Sequence, residues 1–518
     1  MLPDPDTYPA PDALDEMIFA ATVPADHYLR RVQAVLDFEC FREELAACYS
    51  PDQGRPAKEP LLLLKLEFLQ YHYNLSDRLV VEQARSNMAY RWFLGLSLRS
   101  PLPHPSLLTV FRDRLGVARH QRVFDALVAQ GRQHGLVKDR LRLKDATHLI
   151  ANIAVPSAVR LVAQTREQLL AALRPYAPEQ VAHEEAEAAR IHTATADLSG
   201  EERLLQRVTH LRALVAWVEA FVDRGHPSGL DEPAWWTLTA ALQQAHKVLA
   251  DREPGATDRL VSSHDADARH GDHHGPFVGY LLDVAMDADS EFITALTVLP
   301  ASGNEVQDTS TLIRHEEQVH GNDVQGLSLD ALGCRGAHLR EWTDPHGLNL
   351  EVFVPPRAEP PAPAGFPAEQ FTPSATEQTL TCPAGQTSQR RVRNRHDTGW
   401  VYRWARGVCA ACPLQRQCVK DLGKDKGRHV TTNDYAAEYA AARAKAQTPA
   451  YRQVRREHRA IERKLSEVVR WQRARRARYR SQPRVLLQAL LTGLVVNIRC
   501  LVRHRTAPPV RAALAPSG

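Results

Sequence analysis

Three carboxylates in this sequence stand where phosphoryl chemistry would use them. Asp145 lies in the run LRLKDATHLIANIAV, Asp330 closes the short apolar run GLSLD, and Glu462 sits far downstream in AIERKLSEVVRW. Carboxylate oxygens from separate elements can hold two Mg2+ (or Mn2+) ions about 4 Å apart, one activating a nucleophile and the other stabilising the leaving oxygen. Each acid alone has a duller explanation. An Asp at a strand end usually caps a turn or helix, and a Glu in a basic helix usually pairs with a neighbour. The order of elements around the three gives the set its weight, with Asp265, Asp267, Asp287 and Asp323 as alternative acids.

A second group is built from sulfur. Cys382, Cys409, Cys412 and Cys418 fall in one segment, and the C-x2-C pair can wrap a metal ion through a tight knuckle while two further thiolates complete a tetrahedral site. Structural Zn2+ is the expected occupant. An iron–sulfur cluster uses the same ligand type, and unmetallated thiols are the third reading. Cys40, Cys48, Cys334 and Cys500 are scattered. The histidines His264, His270, His273 and His274 lie in a Gly/Asp-rich loop, read as solvated or facing DNA rather than holding metal.

Charge points to a polyanion. The net charge is only +4, but residues 451–506 carry sixteen Lys/Arg against three Glu. In WQRARRARYR, guanidinium groups that can bridge phosphates alternate with aromatic faces that can stack on exposed bases. The candidate DNA contacts are Arg459, Arg463, Lys464, Trp471, Arg473, Arg475, Arg476, Arg478, Tyr479 and Arg480. The alternative is a solvated basic helix.

These residues need a scaffold, and the hydrophobic period supplies its outline. Residues 25–135 read as helical, with Asn74 and Ser76 as turn or cap residues and Gly116 ending the helix SLLTVFRDRLG. From 141 to 153 alternate residues share a face, as in a strand. A helical stretch follows from about 160 to 250, read as two helices packed as a hairpin. GYLLDVAM and EFITALTVL then predict two strands joined by the turn Asp287–Ser290, and a helix near 305–319 leads to GLSLD. A helix near 336–344 and the strand LNLEVFVPP complete a mixed sheet covered by helices. The Pro-rich PPRAEPPAPAGFP marks a boundary. The expected organisation is an N-terminal helical domain (1–135), a core (136–155 and 256–358), a helical insertion (156–255), a cysteine module (359–432) and C-terminal helices (433–518).

With these motifs in view, the chain resembles the DDE transposases of bacterial insertion sequences. KDATHLIAN resembles that family's first-Asp motif, LSLDALG occupies the place of the second Asp, and RAIERKL resembles the third-acid motif. The run GRPAKEPLLLLKLEFLQYHYNLSDRLVVEQARSNMAYRWFLGL resembles the helical domain that opens many of them, and a CP…C..CP…C element also recurs there. The second Asp departs from the family's Lys-Gly-Tyr by continuing Ala331-Leu332-Gly333-Cys334. Arg455 and His458 replace a Tyr and an Arg that precede the Glu in some relatives. The resemblance implies a ribonuclease-H-like mixed sheet flanked by helices, with Asp145, Asp330 and Glu462 as the catalytic metal ligands. It further implies cleavage of element ends, strand transfer to target DNA, and a dimer or higher oligomer on DNA. A catalytically inactive DNA-binding derivative and a ribonuclease-H-like nuclease are the rival readings.

The start MLPDPDTYPAPD has no basic or apolar region of a secretory signal, and VLLQALLTGLVVNI falls short of the ~20 residues of a membrane span, reading instead as a buried helix. Reduced cysteines fit a cytoplasmic, nucleoid-associated bacterial protein.

Overall fold

A computed structural model describes residues 10–50, 57–225, 232–272, 275–358, 365–374, 378–396, 398–419 and 427–506. The acidic N-terminal start, the middle of the Pro-rich boundary, and His273 and His274 lie outside the described residues.

Seven helices open the chain: α1 (Ala13–Thr22), α2 (Tyr28–Val35), α3 (Arg42–Ala46), α4 (Pro60–His72), α5 (Asp77–Ser86), α6 (Met88–Leu94) and α7 (Ser106–Gln133). Pro60 starts α4, where its missing N–H costs nothing, and the hydroxyl of Ser76 caps α5 at Leu79 N. Asn74 turns the chain between them with φ 54°. Gly116 interrupts α7 at φ 63°, ψ 177°, so the helix predicted to end there does break and a second one continues from it.

Strand β1 (Arg142–Ile150) follows. The insertion has four helices rather than two: α8 (Ala158–Leu173), α9 (Pro178–Ala194), α10 (Gly200–Val222) and α11 (Glu232–Ala250). Next come β2 (Arg269–Asp272), β3 (Pro276–Asp287), β4 (Ile293–Pro300) and α12 (Thr309–His320). Part of the stretch expected to be a loop is thus β2, an edge strand antiparallel to β3. The chain continues through β5 (Gly326–Ser328), α13 (Gly336–Thr343) and β6 (Glu351–Phe353). The cysteine region holds β7 (Thr372–Pro373), β8 (Leu380–Thr381), β9 (Arg390–Arg393), β10 (Trp400–Arg403), α14 (Arg406–Ala410), α15 (Gln415–Cys418) and β11 (His429–Thr431). Helices α16 (Ala436–Ala446), α17 (Pro449–Trp471) and α18 (Gln482–Thr506) end the described chain.

The chain divides into two compact units, one of Met1–Lys138, Asp145–Asn322 and Ile461–Gly518, the other of Asp139–Lys144 and Asp323–Ala460. In the first, β3 pairs antiparallel with β2 and β4, and β1 lies beside β3. Gly279 permits that approach: with φ +154°, a Cβ there would stand 2.0 Å from the Leu149 carbonyl oxygen. Helix α18 is long and apolar enough to cross a membrane by length and composition, yet it is buried and packs on α7, β4, α2 and α4. Asn497 on α18 bonds both Ile293 N and Ile293 O at 2.8 Å, satisfying the backbone at the start of β4. The insertion has its own core, where Leu169, Leu173, Leu211, Leu214 and Val218 exclude water.

In the second unit the start of β1, β5 and β6 are parallel, with Leu143 opposite Ser328 and Ser328 opposite Phe353. An antiparallel set followed by parallel strands is the ribonuclease-H-like mixed arrangement. The cysteine region forms a three-stranded and a two-stranded sheet around Phe371, Leu380, Tyr402, Trp404 and Val430.

Candidate active site

Asp330 follows β5, half-exposed, and its Oδ1 accepts a hydrogen bond from Leu332 N at 2.7 Å at the start of a short 3-10 turn. Asp330 stands two residues beyond Ser328, and Asp145 two residues beyond the Leu143 that pairs with it. The end of β5 is fastened by α17. Ser328 Oγ is 3.1 Å from His458 Nδ1 and accepts from Arg455 at 3.2 Å, while Arg455 also donates to Leu329 O at 2.6 Å. Residues 455, 458 and 462 step by three and four along α17. Burial, helped by the Arg455 charge, pushes the His458 pKa down to about 4, so the imidazole is neutral near pH 7. The two replacements noted in the sequence are therefore the residues that seat the helix. Their spacing from Glu462 was the available signal.

In the first unit Asp145 is half-exposed on β1, with Oδ1 accepting from Ala146 N at 2.8 Å, and Glu462 is exposed. Three alternative acids are engaged structurally. Asp265 accepts from the Tyr280 hydroxyl and from Ser481 N, Asp267 from Gln482 N, and Asp287 holds its own turn through Ser290 N and also accepts from the distant Lys138 N. In the second unit Asp323 is exposed.

The basic segment divides. Helix α17 ends at Trp471, and residues 475–477 run beside the end of β1, where Ile150 N donates to Arg475 O at 2.8 Å and Ala477 N to Ile150 O at 2.9 Å. Arg475 donates to His148 O at 2.7 Å, Arg478 lies 4.3 Å from the Tyr71 ring centroid, and the half-buried Tyr479 faces the Tyr71 hydroxyl. Lys464 requires correction as a DNA contact. It is buried and ion-paired with Glu291 at 3.3 Å and Glu467 at 3.1 Å. Arg463 is exposed but also engaged, at 2.5 Å from Glu291. Trp471 is 65% exposed, and Arg459, Arg473, Arg476 and Arg480 face solvent, so these remain available. Nearby, Arg78, Arg112, Arg478, Arg484 and Tyr479 line a cavity of about 400 Å3.

The four cysteines of the second unit line one cavity of about 30 Å3 with Trp404 and Arg428. Arg428 N donates to Cys409 Sγ at 3.3 Å, and burial raises the Cys418 thiol, as do the neighbouring Cys409, Cys382 and Cys412. Among the described residues, only Asp125, His315 and His320 bring three ligand atoms within 4.8 Å of one another, whereas thiolates at 2.3 Å from Zn2+ stand about 3.8 Å apart.

Comparison with known proteins finds transposase domains in two regions of the chain. The family described as Transposase domain (DUF772) matches residues 18–114, and the family described as Transposase DDE domain matches residues 381–502. Both matches are to transposase domains, and together they support a DDE transposase of an insertion sequence. The DDE match contains Glu462, the four cysteines and all the candidate DNA contacts from Arg459 to Arg480, while Asp145 and Asp330 lie between the two matches. A curated protein of Rhizobium meliloti, "Uncharacterized protein ORF8 in nfe locus", is 28% identical over 149 residues, or 27% of this chain and 70% of that relative. No solved structure matches the chain. Transposases act on DNA, and this family generally uses divalent metal ions.

Proposed function

We propose that the chain cuts the ends of a DNA element and joins them to target DNA, using Asp145, Asp330 and Glu462 as ligands for two Mg2+ or Mn2+ ions. The observation that carries this is the fastening of α17 to the end of β5 through Arg455, His458, Ser328 and Leu329. Glu462 follows His458 by one turn of that helix, and Asp330 follows Ser328 by two residues, which supports the reading. The donor set fits: three carboxylates, half-exposed or exposed, offer the hard oxygens such ions require. When bound, the ions would supply Lewis-acid activation and charge neutralisation at the scissile phosphodiester. Water attacks first, leaving a 3′-hydroxyl on the element end, and that hydroxyl then attacks target DNA in line, displacing a new 3′-oxygen. Leu332 N holds Asp330 in one rotamer, and the neutral His458 anchors the helix without adding charge beside the carboxylates.

Exposed Trp471, Arg473, Arg476 and Arg480 would contact DNA, the guanidinium groups at phosphates and the indole on an exposed base. Joining two ends in one event calls for at least two copies on DNA. Cys382, Cys409, Cys412 and Cys418 fit a structural Zn2+, since all four residues line one small cavity and a backbone N–H already serves Cys409.

The test is strand cleavage on an element-end substrate with Mg2+. Asp145→Asn, Asp330→Asn and Glu462→Gln should each lower the rate by roughly a hundredfold or more with end binding retained. Near-normal cleavage by any one variant removes that residue from the site.

A further inference from the structure

Away from these carboxylates, one group of side chains in the first unit has ligand geometry already in place. Asp125 lies on α7, His315 and His320 lie on α12, and one ligand atom from each is within 4.8 Å of the others. His315 Nε2 is 3.1 Å and His320 Nε2 3.5 Å from a single oxygen, Asp125 Oδ1. The imidazole rings stand edge to face at 85°, with centroids 5.6 Å apart, so they approach that oxygen from different directions. Gln121, one turn before Asp125, donates to the same oxygen at 2.9 Å. The side chains of His320 and Asp125 are 1% and 10% exposed, whereas His315 is 31% exposed, so the group is shielded with one open side.

We propose that Asp125, His315 and His320 form a site for a divalent transition metal such as Zn2+ or Co2+, clamping α7 to the end of α12. Imidazole nitrogen selects such ions over Mg2+, which demands oxygen. Two nitrogens and one carboxylate supply three corners of a tetrahedron, and water on the His315 side supplies the fourth. Both rings then carry their proton on Nδ1 and direct the Nε2 lone pair at the ion. This replaces the crowding of two imidazoles and an amide around one oxygen. A cation there also sits at the C-terminal end of α12, which closes at His320 and Gly321, where the helix dipole favours positive charge. Gln121 is a positioning residue that holds the carboxylate.

The experiment uses the full chain, stripped with chelator, saturated with Zn2+, gel-filtered and assayed for metal per chain. His315→Ala, at the most exposed of the three positions, should bind one equivalent less than wild type, and Asp125→Asn should do the same. Gln121→Ala should weaken Zn2+ binding at this site about 10–100-fold. With Co2+, the lost equivalent should carry visible d–d absorption without the near-ultraviolet band of a thiolate ligand, separating it from the cysteine cavity. Far-UV circular dichroism checks that each variant is folded. An unchanged metal count in folded His315→Ala would overturn the proposal and leave a hydrogen-bonded cluster only.

Discussion

The helical insertion and the cysteine module are both small additions to the chain, and they are held by different means. Among the described residues the insertion buries sixteen apolar residues of α8 to α11 in one cluster, whereas the module's cluster has five, with Cys382, Cys409 and Cys418 packed at its margin. At about 25 cal/mol per Å2 of apolar area buried, four helices with a continuous apolar seam can fold on burial alone. Two- to four-residue strands around five side chains fall short of the conformational entropy they must offset. The module thus has far less apolar burial to hold it, which is where the proposed metal cross-link through its four cysteines would act.

That contrast can be broken in three ways. The largest effect should come from the module. Cys412→Ser, or chelation of the wild type, should remove about 10 kcal/mol or more of metal-linked folding energy. Amides of residues 380–419 should then exchange quickly while α8 to α11 stay protected, as read by hydrogen exchange with mass spectrometry. Persistent protection of the module would show that its five-residue core suffices after all. Next, Leu214→Ala at a fully buried position should cost the insertion 2–5 kcal/mol in denaturant melts, leaving zinc content unchanged. A cost below about 1 kcal/mol would mean the seam is loosely packed. Smallest is the cap of α10. Ser199 and Glu202 form a reciprocal capping box, with bonds of 3.3 and 3.0 Å, so Ser199→Ala should cost about 1 kcal/mol and again spare the metal.

Much of this scaffold was legible in the sequence, and the failures have identifiable causes. Strand β1 and the hairpin of β3 and β4 announced themselves through β-branched alternation and the Asp287 turn, because apolar faces there must meet a sheet neighbour. The count of helices in the insertion was lost because α9 buries only Val181 and Ala188, too sparse an apolar period to register. Strand β2 is polar and lies at an edge, so its pairing comes from β3 and leaves no pattern of its own. For the site, the three acids are proposed from motif. That Arg455 and His458 seat α17 depends on hydrogen bonds to Ser328 and Leu329, residues more than a hundred positions away. Lys464 was misread by composition alone. It falls on the stripe of Ile461, Leu465 and Val468, so helical period placed it inside, where Glu291 and Glu467 meet its charge.

Helix α18 has a consequence in time as well as in space. It is the buried partner of α2, α4, α7 and β4, yet about 350 residues separate the end of α7 from its first residue, which at 5–20 residues per second is roughly 20–70 s of translation. Throughout that interval the apolar surface around Phe124 waits for α18, and that around Leu296 joins it about halfway through. A nascent chain in that state is a client for chaperones, and the number of finished molecules depends on how often that wait ends in closure rather than aggregation.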